Sequence, residues 1–445
     1  MKRYWMLVLA MAGCLSLPAL ALDAHDALRL KHDLTPVGAE RAGNKDGSIP
    51  AWTDDRMTPA EHLAWMKKIA DESPIYTVTH ANLDKYKSLL SAGELALFAR
   101  YPDFAMPVYP THRTAKQPQW TYDNTYRNVT DAKLSADGNE VLQAWPGIPF
   151  PIPQNPYEVM WNHQLRWKGV FIRLHLFETT VFSSMQRSTL ETMIETYAAF
   201  YDPSRDSPAL TDWRSAYYFS HILNPAKLAG GGLLIHESLQ PLTHPTQSWV
   251  YLPGERRMRR SPAFGYDSPV FNSEGLRVAD EIDVFNGALD RYNWKLLGKR
   301  EMLIPYNNQK MRYNPCDDPS ALGVGHLKPY TMRFEKHRVW VVDAVLKLGE
   351  RHLYPHRTFY IDEDTWSIAA VDIYDRNGTL WRTTLRFAAY YEAMPGVFSS
   401  MDVYHDLEQG AYFMQCSAGV GTEFFQKPPP SGYFSPVHVR DRLVR

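Results

Sequence analysis

The clearest signal in the chain is the alternation of apolar and polar positions between residues 339 and 392. Over 339–348, Trp340, Val342, Ala344, Leu346 and Leu348 share one face of a strand. Val339, Val341, Asp343, Val345 and Lys347 share the other, because strand side chains alternate with period two. Further strands follow with hardly a helical interval. Asn377-Gly378 predicts a two-residue hairpin of type I′, a turn that needs positive φ at both central residues. Centred there, the turn pairs Tyr374 with Trp381, Asp372 with Thr383, Ala370 with Leu385 and Ile368 with Phe387 on a mostly apolar face. The opposite face pairs Ile373 with Arg382 and Ala369 with Arg386, and is expected to be wetter. More strands are predicted at 169–178, 216–223, 233–237, 248–252, 255–260 and 294–304, with Pro253-Gly254 turning a hairpin.

Helical spacing is concentrated earlier. Thr58-Pro59 reads as a cap and first-turn proline ahead of Leu63, Met66, Ile69 and Ala70. Further helices are predicted at 83–98 and at 185–201, the latter with Met185, Met193, Tyr197 and Phe200 among its apolar positions. The run WPGIPFPIP at 145–153 can be neither helix nor inner strand, since each proline removes a donor and fixes φ. The loop at 145–156 is the best candidate boundary, dividing an N-terminal loop and helix region, 22–156, from a sheet domain, 157–445.

Composition sharpens this α+β reading. Aromatics make up 13% of the chain, with 13 Trp and 26 Tyr, and there are 32 Pro, which favours strands, turns and stacked rings over a helical bundle. The formal net charge of −1 carries no nucleic-acid signature. Residues 1–21 have a short basic start at Lys2 and Arg3, an apolar run and a small-residue cleavage site at Ala19-Leu20-Ala21. They read as a secretory signal peptide; the rival is a lipoprotein signal ending at Cys14. Cys316 and Cys416 remain after cleavage, either as a disulfide or as two thiols.

The chemistry-bearing motifs are sparse. Arg256, Arg257, Arg259 and Arg260 put four guanidinium groups in five residues, suited to an anionic headgroup or partner, or to guarding a sheet edge. Gly230-Gly231-Gly232 lacks the Lys-Ser/Thr of a phosphate loop and reads as a tight turn. His163, His236, His244 and His326 are scattered, with no metal-ligand spacing. Asp362-Glu363-Asp364 reads as a turn between strands rather than a catalytic carboxylate pair. No metal, no cofactor and no catalytic constellation is expected.

Long ordered segments carry a resemblance: AERAGNKDGSIPAW, GIPFPIP, WNHQLRW, NPAKLAGGGLLIHESL, WVYLPGERRMRRSP, VFNGALDRYNWKLLGKREMLIPYNN and FYIDEDTWSIAAVDIYDRNGTLWR. Through them most of the chain resembles a large family of Gram-negative exported proteins described as outer-membrane lipoprotein-sorting-like. The C-terminal half is also similar in pattern to the periplasmic lipoprotein carrier and its outer-membrane receptor. That resemblance implies a large curved antiparallel sheet, an incomplete β-barrel, with helices covering its open side. It implies a non-enzymatic periplasmic carrier or adaptor for a lipid or other hydrophobic molecule, with an inner-membrane transporter and an outer-membrane protein as partners. An envelope scaffold and an exported hydrolase are the alternatives. On the carrier reading, Trp340, Val342, Leu346, Tyr374, Trp381, Leu385 and Phe387 line the ligand space.

Overall fold

The computed structural model describes residues 22–54, 57–210, 212–261, 265–312, 318–417 and 421–444. Its strands in chain order are β1 (Tyr76–Val78), β2 (Met106–Val108), β3 (Lys133–Leu134), β4 (Val141–Gln143), β5 (Phe171–Val181), β6 (Arg187–Tyr197), β7 (Arg214–Asn224), β8 (Gly232–Ser238) and β9 (Gln247–Leu252). They continue as β10 (Arg257–Arg260), β11 (Tyr292–Pro305), β12 (Phe334–Leu346), β13 (His356–Asp362), β14 (Ile368–Tyr374), β15 (Leu380–Tyr391), β16 (Gly396–Asp406), β17 (Ala411–Ser417) and β18 (Glu423–Phe425). The helices are α1 (Ala24–Leu28), α2 (Pro59–Ala70), α3 (Leu83–Tyr86), α4 (Ala92–Arg100), α5 (Gln119–Asp131), α6 (Pro156–Gln164) and α7 (Pro436–Val444).

All strands but β3 and β4 join one 16-stranded sheet. From β11 the order runs β12 to β17 in sequence, then β5 to β10, and every pair is antiparallel. The sheet is curved and does not close into a barrel. The expected α+β class and open antiparallel sheet are what the chain adopts. β2 attaches to β12 by one parallel pair, Val108 with Phe334, so the N-terminal region contributes strands to the same sheet.

Both faces are covered. Val342, Phe359 and Val371 stand abreast across β12, β13 and β14, and pack with Trp161, Phe285, Leu289 and Trp366. Val341, Tyr360, Ala370 and Leu385 form the opposite row and pack with Phe98, Met302, Phe334 and Phe387. Toward β5–β10 the second face is covered by the C-terminal segment, through Phe434 and Val439.

Three local expectations are corrected. Residues 187–197 form β6 rather than a helix. Met193 and Tyr197 do recur at helical spacing, but Leu190, Thr192 and Ile194 are buried at period two, and β5 and β7 supply hydrogen-bond partners on both edges. The helix over 83–98 breaks in two. Leu90 is extended and Ser91 caps α4, its hydroxyl accepting from Glu94 N while Glu94 accepts from Ser91 N. The hairpin between β14 and β15 is not type I′: Gly378 has φ of +77° and Asn377 does not enter that region. The Asp375 carboxylate accepts from Asn377 N and Thr379 N at 2.8 Å each, which builds a longer turn. The predicted pairs of Ala370, Asp372 and Ile373 hold, while a bulge sets Tyr374 opposite Leu380 rather than Trp381.

α4 docks end-on to the sheet. Ala92 N and Gly93 N donate to the Asp372 carboxylate at 2.9 and 2.8 Å, so a strand residue answers the positive helix end. The approach requires glycine, because a Cβ on Gly93 would lie 2.0 Å from Thr383 Oγ1. Glu94 is fully buried beside Asp372, and burial pushes its carboxyl up to about 8. Between the ordinary glutamate value and that point the folded chain keeps a proton that the unfolded chain releases. Stability therefore falls as pH rises through this window, by on the order of 1.4 kcal/mol per pH unit. Glu94→Gln is expected to lack this component and to exceed the wild type in urea midpoint at pH 9 but not at pH 5. Parallel pH profiles would remove Glu94 as the cause.

Candidate functional site

The ends of β6, β7 and β8 set three rings side by side. Tyr197 pairs with Tyr217, and Tyr217 with His236. The tyrosines stack at 5.9 Å, and the Tyr217 ring meets the His236 ring edge-on at 4.7 Å. Beyond β18 the chain returns over these ends as Pro428-Pro429-Pro430-Ser431-Gly432. Three successive prolines keep this strap extended and deny it the donors needed to join the sheet. A cleft of about 640 Å³ lies between strap and strand ends. Phe200, Leu210, Leu239 and Phe434 add apolar wall, and Asp202, Arg205, Asp212 and Arg214 bring charge to the same cleft.

The strap is held by few polar contacts. His236 Nε2–H donates to Phe434 O at 2.8 Å. Burial holds this imidazole below its ordinary value, so it is the neutral ring that donates. Glu195, 2% exposed, is the second clamp. It accepts from Tyr433 Oη at 2.9 Å, from Arg442 at 2.5 Å on α7, and from Arg173 Nε at 3.0 Å. Tyr197 Oη donates to Asp202 at 2.8 Å, which turns the polar edge of that ring away from its apolar face. The arrangement offers aromatic burial with charge beside it, suited to an amphipathic guest.

Residues 77–440 match the model of a family described as protein of unknown function, DUF1329. The chain belongs to the DUF1329 family. An uncharacterized protein of Pseudomonas aeruginosa is 41% identical over 406 residues, covering 88% of this chain and 87% of that one. Among solved structures, a domain assigned to outer membrane lipoprotein sorting from Vibrio parahaemolyticus is similar at 13% identity and TM-score 0.44, over 64% of this chain and 97% of that one. A DUF1329 protein from Desulfovibrio piger is similar at 13% identity and TM-score 0.39, over 60% of this chain and 90% of that one. A LolA superfamily protein from Nitrosomonas europaea is similar at 11% identity and TM-score 0.36, over 64% and 98%.

In this DUF1329 chain the seven side chains expected to line one ligand space do not share a face. Trp340, Val342 and Leu346 pack on the side of Trp161 and Trp366. Leu385 and Phe387 pack on the opposite side, with Phe334 and Val341. Tyr374 stacks on His356 at 4.5 Å, and Trp381 meets Tyr354 edge-on at 5.9 Å. β13 and β14 intervene between the two strands, and their register carries Leu385 to the far face from Val342. The face expected to be wetter is buried: Arg382 and Arg386 are 6% and 2% exposed and ion-paired to Asp406 and Asp402.

The arginine patch is exposed. Arg256 closes the β9–β10 turn with φ of +50°, and Arg257, Arg259 and Arg260 lie on β10, the last strand of the sheet. Arg259 pairs with Glu255. Cys416 is buried on β17 and disulfide-bonded; Cys316 lies outside the described residues, as does the signal segment 1–21. No helix among the described residues is long and apolar enough to cross a membrane. His163 is structural: its Nδ1 accepts from Ile368 N and its Nε2–H donates to Asp283 O, each at 3.1 Å. His326 is buried and bonds Leu327 O and Asp103; His244 stacks on Trp213. Asp362, Glu363 and Asp364 are not a solvated turn but are buried, at 1%, 2% and 3% exposure.

Sequence reasoning missed Glu195, Tyr433 and the strap. The helix expected over 185–201 hid the face that Glu195 and Tyr197 share. The PPPSGYF run was the available signal.

Proposed function

We propose that this chain is an exported, non-catalytic carrier or adaptor that holds a hydrophobic, lipid-like molecule in the periplasm. The cleft beneath the C-terminal strap is its binding site. The observation that carries this reading is an aromatic wall roofed by a proline strap that His236 and Glu195 clamp. Releasing those contacts opens the wall without dismantling the sheet. Each methylene buried there contributes about 0.8 kcal/mol, so a chain of modest length is held firmly. The seven sheet residues named from the sequence lie on β12, β14 and β15 and take no part in the lining of this cleft.

The exposed arginines on β10 favour a second role, contact with an anionic headgroup or with an acidic partner such as a transporter or an outer-membrane protein. An edge strand with three arginines, and a fourth in the turn before it, resists pairing with another sheet, which leaves its charge available.

Native mass spectrometry of protein purified from the periplasm without detergent, followed by solvent extraction, tests the carrier reading. A discrete bound hydrophobe is expected. Leu210→Arg, at a half-buried position of the wall, is expected to lower occupancy at least tenfold with an unchanged melting temperature. Equal occupancy in the two proteins moves the site away from the cleft. Wild type that stays empty after incubation with envelope lipids favours the scaffold.

A further inference from the structure

We propose that His337 Nδ1, Asp362 Oδ1 and Asp364 Oδ2 form a buried site for a divalent first-row cation of the Zn²⁺ or Mn²⁺ class. The hydroxyl of Tyr306 completes it, and the ion staples three separate parts of the chain together. β12 supplies His337, the end of β13 supplies Asp362, the following turn supplies Asp364, and Tyr306 follows β11. All four side chains are at most 3% exposed.

The three ligand atoms lie within 4.8 Å of one another. His337 Nδ1 is 3.7 Å from Asp362 Oδ1 and 3.9 Å from Asp364 Oδ2. Both separations are too long for hydrogen bonds. They are close to the spacing of neighbouring ligands around a cation with bonds of about 2.1 Å, which is roughly 3.0–3.6 Å. Among the described residues, two buried polar atoms here have no hydrogen-bond partner: Asp362 Oδ1 and Tyr306 Oη. Asp362 Oδ2 is already satisfied by Thr365 N and Oγ1 at 2.9 and 2.7 Å, so Oδ1 is the oxygen left over. The Tyr306 ring stacks on the imidazole at 4.0 Å.

The far side of the imidazole fits a ligand role. Glu335 Oε2 lies 3.4 Å from His337 Nε2 and would orient the ring with Nδ1 facing the carboxylates. Glu335 is itself fixed by Arg333 at 2.6 Å, by His112 N and by Asn307. Arg113 competes for Asp364, donating to Oδ2 at 2.8 Å and to Oδ1 at 2.7 Å. Each carboxylate oxygen has two lone pairs, so Oδ2 can accept from Arg113 and bind an ion together.

The connected carboxylates are Glu40, Glu72, Glu335, Asp362, Glu363 and Asp364. Among the described residues, their permanent cationic partners are Arg113, Lys299, Arg333 and Arg338.

The test uses the mature chain without an affinity tag, refolded from urea with EDTA or with Zn²⁺ or Mn²⁺. Elemental analysis is expected to find about one ion per chain in a cation-refolded sample, with a higher urea midpoint than the EDTA sample. His337→Gln is expected to lose the ion. Exposed Asp23 and His25 with half-buried Asp26 are the rival cluster among the described residues, and His25→Ala with Asp23→Asn is expected to keep the ion. No ion in either refolded sample overturns the proposal, as does retention by His337→Gln or loss in the His25→Ala variant. Should His337→Gln fail to fold, Co²⁺ refolded into the His25→Ala variant decides. A paramagnetically shifted imidazole resonance is expected, and its absence overturns the site.

Discussion

Arg386→Met is expected to cost about 3–5 kcal/mol of folding free energy, because it strands buried carboxylates. The Arg386 guanidinium donates to both oxygens of Asp402 at 2.8 Å and lies 2.8 Å from Asp283. Asp283 keeps Arg166 at 2.5 Å and Lys168 at 3.0 Å after the change. Asp402 keeps the Ser399 hydroxyl at 2.8 Å, a weak answer to a buried charge. The cost therefore falls mainly on Asp402, and Arg386→Met with Asp402→Leu is expected to recover most of it. Urea unfolding of the two single variants and the double variant measures this. A double variant no more stable than Arg386→Met would mean that the guanidinium acts through packing instead.

Trp366→Ala is expected to lose a similar amount, about 3–5 kcal/mol, by opening a large cavity. Trp366 is fully buried in the turn after β13, and its Nε1–H donates to Val37 O at 2.8 Å. It therefore ties the N-terminal segment to the sheet as well as filling the core. Trp366→Phe keeps most of the packing and loses the indole donor, for about 1 kcal/mol from that bond alone. Limited proteolysis at 22–54 should follow the same order, fastest for Trp366→Ala. Equal rates in wild type and Trp366→Ala would show that Val37 is anchored by other contacts.

Trp366 also illustrates how far the sequence could be read. Its turn, DEDTWS, was legible as a connection between two strands. That it is buried was not, because the Arg113 that answers Asp364 comes from 251 positions away. Leu385 teaches the same lesson at the level of a face. Alternation correctly grouped Ala370 with Leu385 across one hairpin. It held no information on the register of β12 with β13 and of β13 with β14, where a bulge between Tyr360 and Ile361 intervenes. Leu385→Glu, an attractive way to disrupt a ligand groove, would instead place a charge in a core position that is 1% exposed.

Local patterns in the chain specified most of the elements and the class of the fold. Period-two alternation, prolines and turn residues act over a few positions, and they marked most strands and the start of α2 from Thr58. Tertiary structure decided whatever depends on partners far apart in the chain. It made β6 a strand, because β5 and β7 offered hydrogen bonds that outweighed a helical spacing. It set Glu195 under Tyr433 and Arg442, and His236 under Phe434, to form the cleft. It buried His337 among acidic groups that the chain spells as an ordinary turn. Local propensity is written in neighbours, whereas burial and charge compensation are written only in contacts.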